Sequence, residues 1–132
     1  DYSREYISDL VEYCRKDPRK TEAEKNVLNE FLRDYNPAEA IRWYTRESFT
    51  YKMLNESLRS LNGDEIVLMG FFIRDLHQQI EQLQKEQACQ NRQEHFTVYR
   101  GQLLSIDDFN MMCANEGGLM SFNCFLSTSL SK

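Results

Sequence analysis

Phe96-Thr97-Val98-Tyr99-Arg100-Gly101-Gln102, and further on Phe122-Asn123-Cys124-Phe125-Leu126-Ser127-Thr128-Ser129-Leu130, are the stretches that decide the fold class. Both are rich in aromatic and β-branched residues and alternate with period two, which predicts strands. On the second, Ser127 and Ser129 share one face while Thr128 points to the other with Leu126 and Leu130. On the first, Arg100 follows Phe96 and Val98 along one face and is followed at once by Gly101. A guanidinium closing an apolar strand beside a flexible backbone is placed to hold an anion, because its planar fork matches phosphate bidentately. Gly101 lets a ligand approach the main chain closely.

Upstream, the apolar period becomes helical. Residues 2–16 carry Tyr6, Ile7, Leu10, Val11 and Cys14 at helical spacing, and Asp17-Pro18 breaks that helix. Thr21 and Glu24 form a capping box for a second helix running to about Tyr35, with Val27, Leu28, Phe31 and Leu32 on its apolar face. Asn36-Pro37 opens a third, holding Ala40, Ile41 and Tyr44. Ser48 caps a fourth, or the third continues through it. The run Phe49, Met53, Leu54, Leu58 and Leu61 is amphipathic, and Asn62-Gly63 predicts a left-handed stop. A fifth helix starts at Asp64 and carries apolar residues to Leu83, before a polar loop from Gln84 to Glu94. Ser105 and Asp108 cap a short helix with Ile106, Phe109 and Met112, ended by Asn115-Glu116-Gly117-Gly118.

This order predicts an α+β domain: a helical part over 1–94 packed on an incomplete mixed or antiparallel sheet over 95–132. Two or three strands rarely make a complete sheet and leave edges unpaired. The expectation is therefore a truncated piece, or strand pairing between two copies through the exposed edge. No βα repeat and no G-x-G-x-x-G after a strand supports a Rossmann fold.

The charge balance narrows the partners. With 16 basic and 21 acidic residues the net charge is −5, and the cations are scattered, which argues against a nucleic-acid surface. No apolar run is long enough to span a bilayer. Cys14, Cys89, Cys113 and Cys124 include no Cys-x-x-Cys pair, and neither His77 nor His95 stands at metal-ligand spacing to them, which argues against zinc. Free thiols and a cytoplasmic setting are expected ahead of a Cys113–Cys124 bridge in an oxidising compartment, so a secreted protein stays open. Glu116 and the Asp107-Asp108 pair read as loop and helix-start residues rather than an acid/base pair.

Tyr99-Arg100-Gly101-Gln102, then a glycine pair, then Ser127-Thr128-Ser129 at a strand resembles the mono-ADP-ribosyltransferases of the arginine–serine–glutamate class. The helical stretches Ala40–Ser48 and Leu54–Arg59 resemble the helix that precedes the family's cleft, so the likeness covers roughly 37–132. It implies that NAD is the substrate and a protein side chain, arginine in the closest class, the acceptor. Carried over, Arg100 resembles the arginine that holds the NAD pyrophosphate, and Gly101, with Gln102 beside it, the glycine that meets the nicotinamide amide. Ser127 resembles the serine that supports the nicotinamide ribose and orients the catalytic glutamate, and Thr128 and Ser129 complete the motif. Asn55, with Tyr51 one turn before it, resembles helix residues that reach the phosphates. The family's later Glu-x-Glu or Gln-x-Glu is missing after Ser-Thr-Ser, so weak or no turnover by this chain alone is expected.

That chemistry explains the residue types. Cleaving the nicotinamide–ribose bond passes through an oxocarbenium-like state, as glycoside cleavage does. It needs a clamped pyrophosphate, a held nicotinamide and a carboxylate near the developing positive charge. Two other classes stay open beside the enzyme: a non-catalytic module that binds NAD or a partner, and a helical interaction domain docking through the amphipathic helices of residues 21–83.

Overall fold

The structure, a computed structural model, describes residues 2–46, 48–90 and 96–131. The chain forms two compact units, residues 1–92 and 93–132.

The first unit is built from helices α1 (Tyr2–Arg15), α2 (Glu22–Asp34), α3 (Ala40–Thr45), α4 (Phe49–Ser60), α5 (Gly63–Leu68) and α6 (Gly70–Gln90), with a 3-10 turn at Pro37–Glu39 before α3. Local capping chemistry fixes several of the starts. The Glu24 amide donates to Thr21 Oγ1 (3.3 Å) while the Thr21 amide donates to Glu24 Oε2 (2.8 Å), the reciprocal capping box the sequence predicts. Asn36 Oδ1 accepts from the Ala38 amide at 3.0 Å, so its cap serves the 3-10 turn rather than α3 directly. Ser48 is the N-cap of α4 by backbone conformation, but its hydroxyl caps nothing; it meets the Trp43 carbonyl and Thr50 instead.

Phe31 sits at the centre of the core. Its ring is fully buried and meets Trp43 (4.9 Å) and Phe49 (5.2 Å) edge-on, with Tyr35 and Phe72 closing the cluster at 4.6 and 6.3 Å. Those rings come from α2, the residue after it, α3, α4 and α6, so one side chain joins four helices. Beside it the Tyr35 hydroxyl donates to Asp75 Oδ2 at 2.9 Å, and Arg74 donates to Asp75 Oδ1 at 3.0 Å. The buried Asp75 carboxylate is thus satisfied from two sides. Burial, then the Asp75 charge and hydrogen bond, push the Tyr35 hydroxyl well above its ordinary range. On α1, Ile7, Leu10, Val11 and Cys14 form the buried stripe, and Cys14 Sγ meets Met53 Sδ at 3.6 Å.

Three sequence expectations are corrected here. The left-handed stop of α4 falls on Leu61 (φ 54°, ψ 38°), not on Asn62-Gly63, because Asn62 is already the N-cap of the next helix. The helix expected from Asp64 to Leu83 breaks at Met69 into α5 and α6. The polar run from Gln84 continues α6 to Gln90 instead of forming a loop. It is rich in good helix formers and tied by Glu81–Lys85 (2.7 Å) and Gln82–Glu86 (3.0 Å) pairs four residues apart. Residues 91–94 of that expected loop lie outside the described residues. Among the described residues no helix is long and apolar enough to cross a membrane.

The second unit carries α7 (Ile106–Ala114), started by Ser105, whose Oγ accepts from the Asp108 amide at 3.0 Å. After it the chain turns through Gly117 at φ 82°, a conformation that favours glycine. The predicted α+β fold with a sheet is overturned in this unit. Among the described residues there is no strand, and the two period-two stretches meet only in an isolated antiparallel bridge between Tyr99 and Ser129. The reason is packing. Strand propensity is realised when a pleated face is covered, and a lone pair of strands is marginal in water. Here Phe96, Leu103, Leu119 and Leu130 are exposed, and only Cys124 and Phe125 are half-buried.

Phe31→Ala is expected to cost about 3–5 kcal/mol, read as a shift of the urea midpoint followed by fluorescence of Trp43, the chain's single tryptophan; a loss below about 1 kcal/mol would remove Phe31 from the centre of the core. Burial, offset in part by the Lys20 charge, pushes the Cys14 thiol up to about 11, so alkylation at pH 8 should label exposed Cys113 well before Cys14, with Cys14 gaining reactivity only as the pH approaches that value. Equal labelling of the two in peptide mapping would contradict this.

Candidate functional site

The Tyr99–Ser129 bridge organises the site. Each residue donates its amide to the other's carbonyl at 2.8 Å, a closed hydrogen-bonded antiparallel pair. Arg100 follows Tyr99, so its side chain reaches across the same junction, and Nη1 donates to the Ser127 carbonyl at 3.0 Å. Nε approaches Gln102 Oε1 at 3.5 Å. Arg100, Gln102, Ser127 and Ser129 are therefore brought together from stretches 27 residues apart.

The donors not spent on these bonds are what the arrangement offers a ligand. The guanidinium is exposed, and Nη2 makes no hydrogen bond among the described residues. A side-chain carbon built on Gly101 would meet nothing within 4 Å, so the main chain there is approachable. Ser129 Oγ lies 3.2 Å from Ser131 Oγ and accepts from the Ser131 amide at 3.1 Å, which ties it into a local turn. The exposed Ser127 and Thr128 hydroxyls make no hydrogen bond among the described residues. The group fits a phosphate-bearing ligand: a partly committed arginine, an open glycine backbone and free hydroxyls.

Asn55 belongs to the first unit, on α4. Its Oδ1 accepts from the Tyr44 hydroxyl at 3.2 Å and its Nδ2 donates to the Tyr51 carbonyl at 2.9 Å, so both ends of the amide are used inside the helical unit. The sequence pattern did not single out Arg59 as a site residue. Its Nε donates to the Asn55 carbonyl at 3.1 Å, which leaves both terminal nitrogens for other work. The signal was there: Tyr51, Asn55 and Arg59 recur every four residues and share one helix face. Among the described residues no cluster of His, Cys, Asp or Glu could hold a metal ion.

The family model described as ADP-ribosyltransferase exoenzyme matches residues 3–132. The chain belongs to that family. Membership carries ADP-ribosyl transfer, with NAD as the substrate and a protein as the acceptor. No curated protein and no solved structure matches this exoenzyme-family chain.

The Arg100–Ser127 contact adds a side-chain bond across the bridge. Arg100→Ala should therefore speed amide exchange at Tyr99 and Ser129 by about fivefold, the equivalent of a net hydrogen bond of ~1 kcal/mol; unchanged exchange would mean that the bridge holds without the arginine.

Proposed function

We propose that the chain binds NAD through Arg100, Gly101 and Ser127 and serves a mono-ADP-ribosyltransferase whose acceptor is a protein arginine. The observation that carries this reading is the Arg100 guanidinium bonded to the Ser127 carbonyl, which brings the arginine and Ser-Thr-Ser motifs to one spot. The assignment of each residue's role rests on the motif resemblance together with that contact.

In this reading the remaining Arg100 donors clamp the pyrophosphate, and the main chain at Gly101 and Gln102 faces the nicotinamide amide. The Ser127 hydroxyl supports the nicotinamide ribose, and Thr128 and Ser129 keep that segment in register. The bond from ribose C1′ to the nicotinamide nitrogen breaks with its electron pair leaving on nicotinamide. The acceptor nitrogen then bonds to C1′ and gives up a proton. Positive charge on the ribose is greatest between those events, and a carboxylate lowers its energy most.

The alternative is a transferase-like module that binds NAD or a partner without catalysis. The two readings part on nicotinamide release in the presence of saturating NAD.

Calorimetric titration with NAD should give saturable binding that weakens at least tenfold in Arg100→Ala, the loss of a charge-assisted hydrogen-bond pair worth about 1.5–3 kcal/mol. Arg100→Lys should not restore it, because an ammonium lacks the fork. Binding unchanged by Arg100→Ala would overturn the assignment, and nicotinamide release unaffected by both Arg100→Ala and Ser127→Ala would overturn the assignment of turnover to this site.

A further inference from the structure

Asn62-Gly63 has no part in the proposed NAD site, and the fold leaves it open to chemistry of its own. It lies in the turn between α4 and α5, with both residues at the surface. An asparagine carboxamide can be attacked by the main-chain nitrogen of the next residue, and glycine opposes that attack least because it has no Cβ. The Gly63 amide makes no hydrogen bond among the described residues, since the first amide of a helix has no carbonyl behind it to meet. Asn62 Nδ2, the leaving group, is likewise unbonded among the described residues, and Oδ1 accepts from the Glu65 amide at a long 3.4 Å. A side-chain carbon built on Gly63 would meet nothing within 4 Å, so a ring has room to close and water has room to reach it.

Other asparagines are better held. Asn29 lies inside α2 and Asn110 inside α7, where the following amide belongs to the helix. Asn55 Nδ2 donates to the Tyr51 carbonyl at 2.9 Å, and Asn115 Nδ2 to the Leu119 carbonyl at 2.9 Å. Asn123 precedes Cys124, whose Cβ crowds the amide that would attack. The restraints on Asn62 are light by comparison. Its carbonyl accepts from the Ile66 amide at 3.0 Å, and its amide donates to the Ser57 carbonyl at 3.0 Å. Those bonds belong to the end of one helix and the first turn of another only six residues long, the parts of a helix that open most easily.

We propose that Asn62 is a site of covalent self-modification by deamidation, which places aspartate and isoaspartate in the α4–α5 turn. The Gly63 nitrogen gives its proton to hydroxide and bonds to Asn62 Cγ. The Cγ–Nδ2 bond then breaks, and the nitrogen takes a proton from water and leaves as ammonia, closing a succinimide. Water adds to one of the two ring carbonyls and opens the ring, so the net change is one water consumed and one ammonia released. Opening at Cγ gives aspartate; opening at the main-chain carbonyl gives isoaspartate, with the chain rerouted through Cβ and Cγ. Aspartate keeps the cap, because a carboxylate oxygen accepts from the Glu65 amide as Oδ1 does. Isoaspartate adds a methylene to the main chain and displaces the carbonyl that receives the Ile66 amide. Three residues on, Glu65 accepts from the Tyr13 hydroxyl at 3.0 Å and from the fully buried Ser57 hydroxyl at 2.5 Å, which ties α5 to α1 and α4. The isoaspartyl form loosens that tie. It also presents a free α-carboxylate at the surface, the group that an isoaspartyl carboxyl methyltransferase esterifies.

The test incubates the whole chain in mildly alkaline buffer, where hydroxide supplies the base. Peptide mapping follows the loss of amide nitrogen, and enzymatic carboxyl methylation counts isoaspartate. The peptide carrying Asn62-Gly63 should convert ahead of those carrying Asn29, Asn55 and Asn115, and faster as the pH rises. Gly63→Ala should slow that conversion by about tenfold and keep the fold, because the added methyl group enters open space. Aged protein rich in isoaspartate should unfold at a lower urea concentration than Asn62→Asp, which carries the same charge on an unaltered main chain. Conversion of Asn29 or Asn115 before Asn62, an equal rate in Gly63→Ala, or an absence of isoaspartate would overturn the site. An isoaspartate-rich sample with the urea midpoint of Asn62→Asp would overturn the loosening of α5. None of these readouts involves Arg100 or NAD.

Discussion

The helical unit depends on the burial of one ring. Phe31 is inaccessible to solvent and is met edge-on by Trp43 and Phe49, with Tyr35 and Phe72 filling the remaining sides. Edge-to-face contacts fix orientation as well as distance, so the rings set how α2, α3, α4 and α6 approach each other. That in turn fixes which face of α4 is left outside. Thr50, Leu54 and Ser57 are turned inward, while Tyr51 and Asn55 are half-buried and Arg59 is exposed. The apolar spacing that builds the core therefore also places the polar row of α4.

In the second unit the governing constraint is a hydrogen-bonded pair rather than a core. Tyr99 and Ser129 exchange both main-chain bonds, and Arg100 adds a side-chain bond to the Ser127 carbonyl. Geometry that rests on a few exposed hydrogen bonds is held by roughly a kilocalorie each. On the proposed reading, an NAD pyrophosphate would give Arg100 Nη2 the anion it does not meet among the described residues.

What the sequence made legible was local. The Thr21–Glu24 box, the Ser105–Asp108 cap and the Phe31 face follow from short-range rules, and each is realised. The meeting of Arg100 with the Ser-Thr-Ser stretch was legible only through motif resemblance, because nothing in their spacing requires contact. The sheet was misread because alternation in residues 96–102 and 122–130 describes a surface that would suit a covered face; it does not supply the cover. The α4 stop was misplaced by one residue because Asn62 had two roles open to it, ending one helix or starting the next, and the side-chain bond to the Glu65 amide decided for the second.

The central claim is that NAD is held where Arg100 meets the Ser-Thr-Ser stretch. Amide shift mapping of the whole chain during an NAD titration tests it most directly. Saturable shifts should concentrate at Tyr99, Arg100, Gly101, Ser127, Thr128 and Ser129. Saturable binding that leaves these amides unmoved, or no binding at millimolar NAD, would contradict the account.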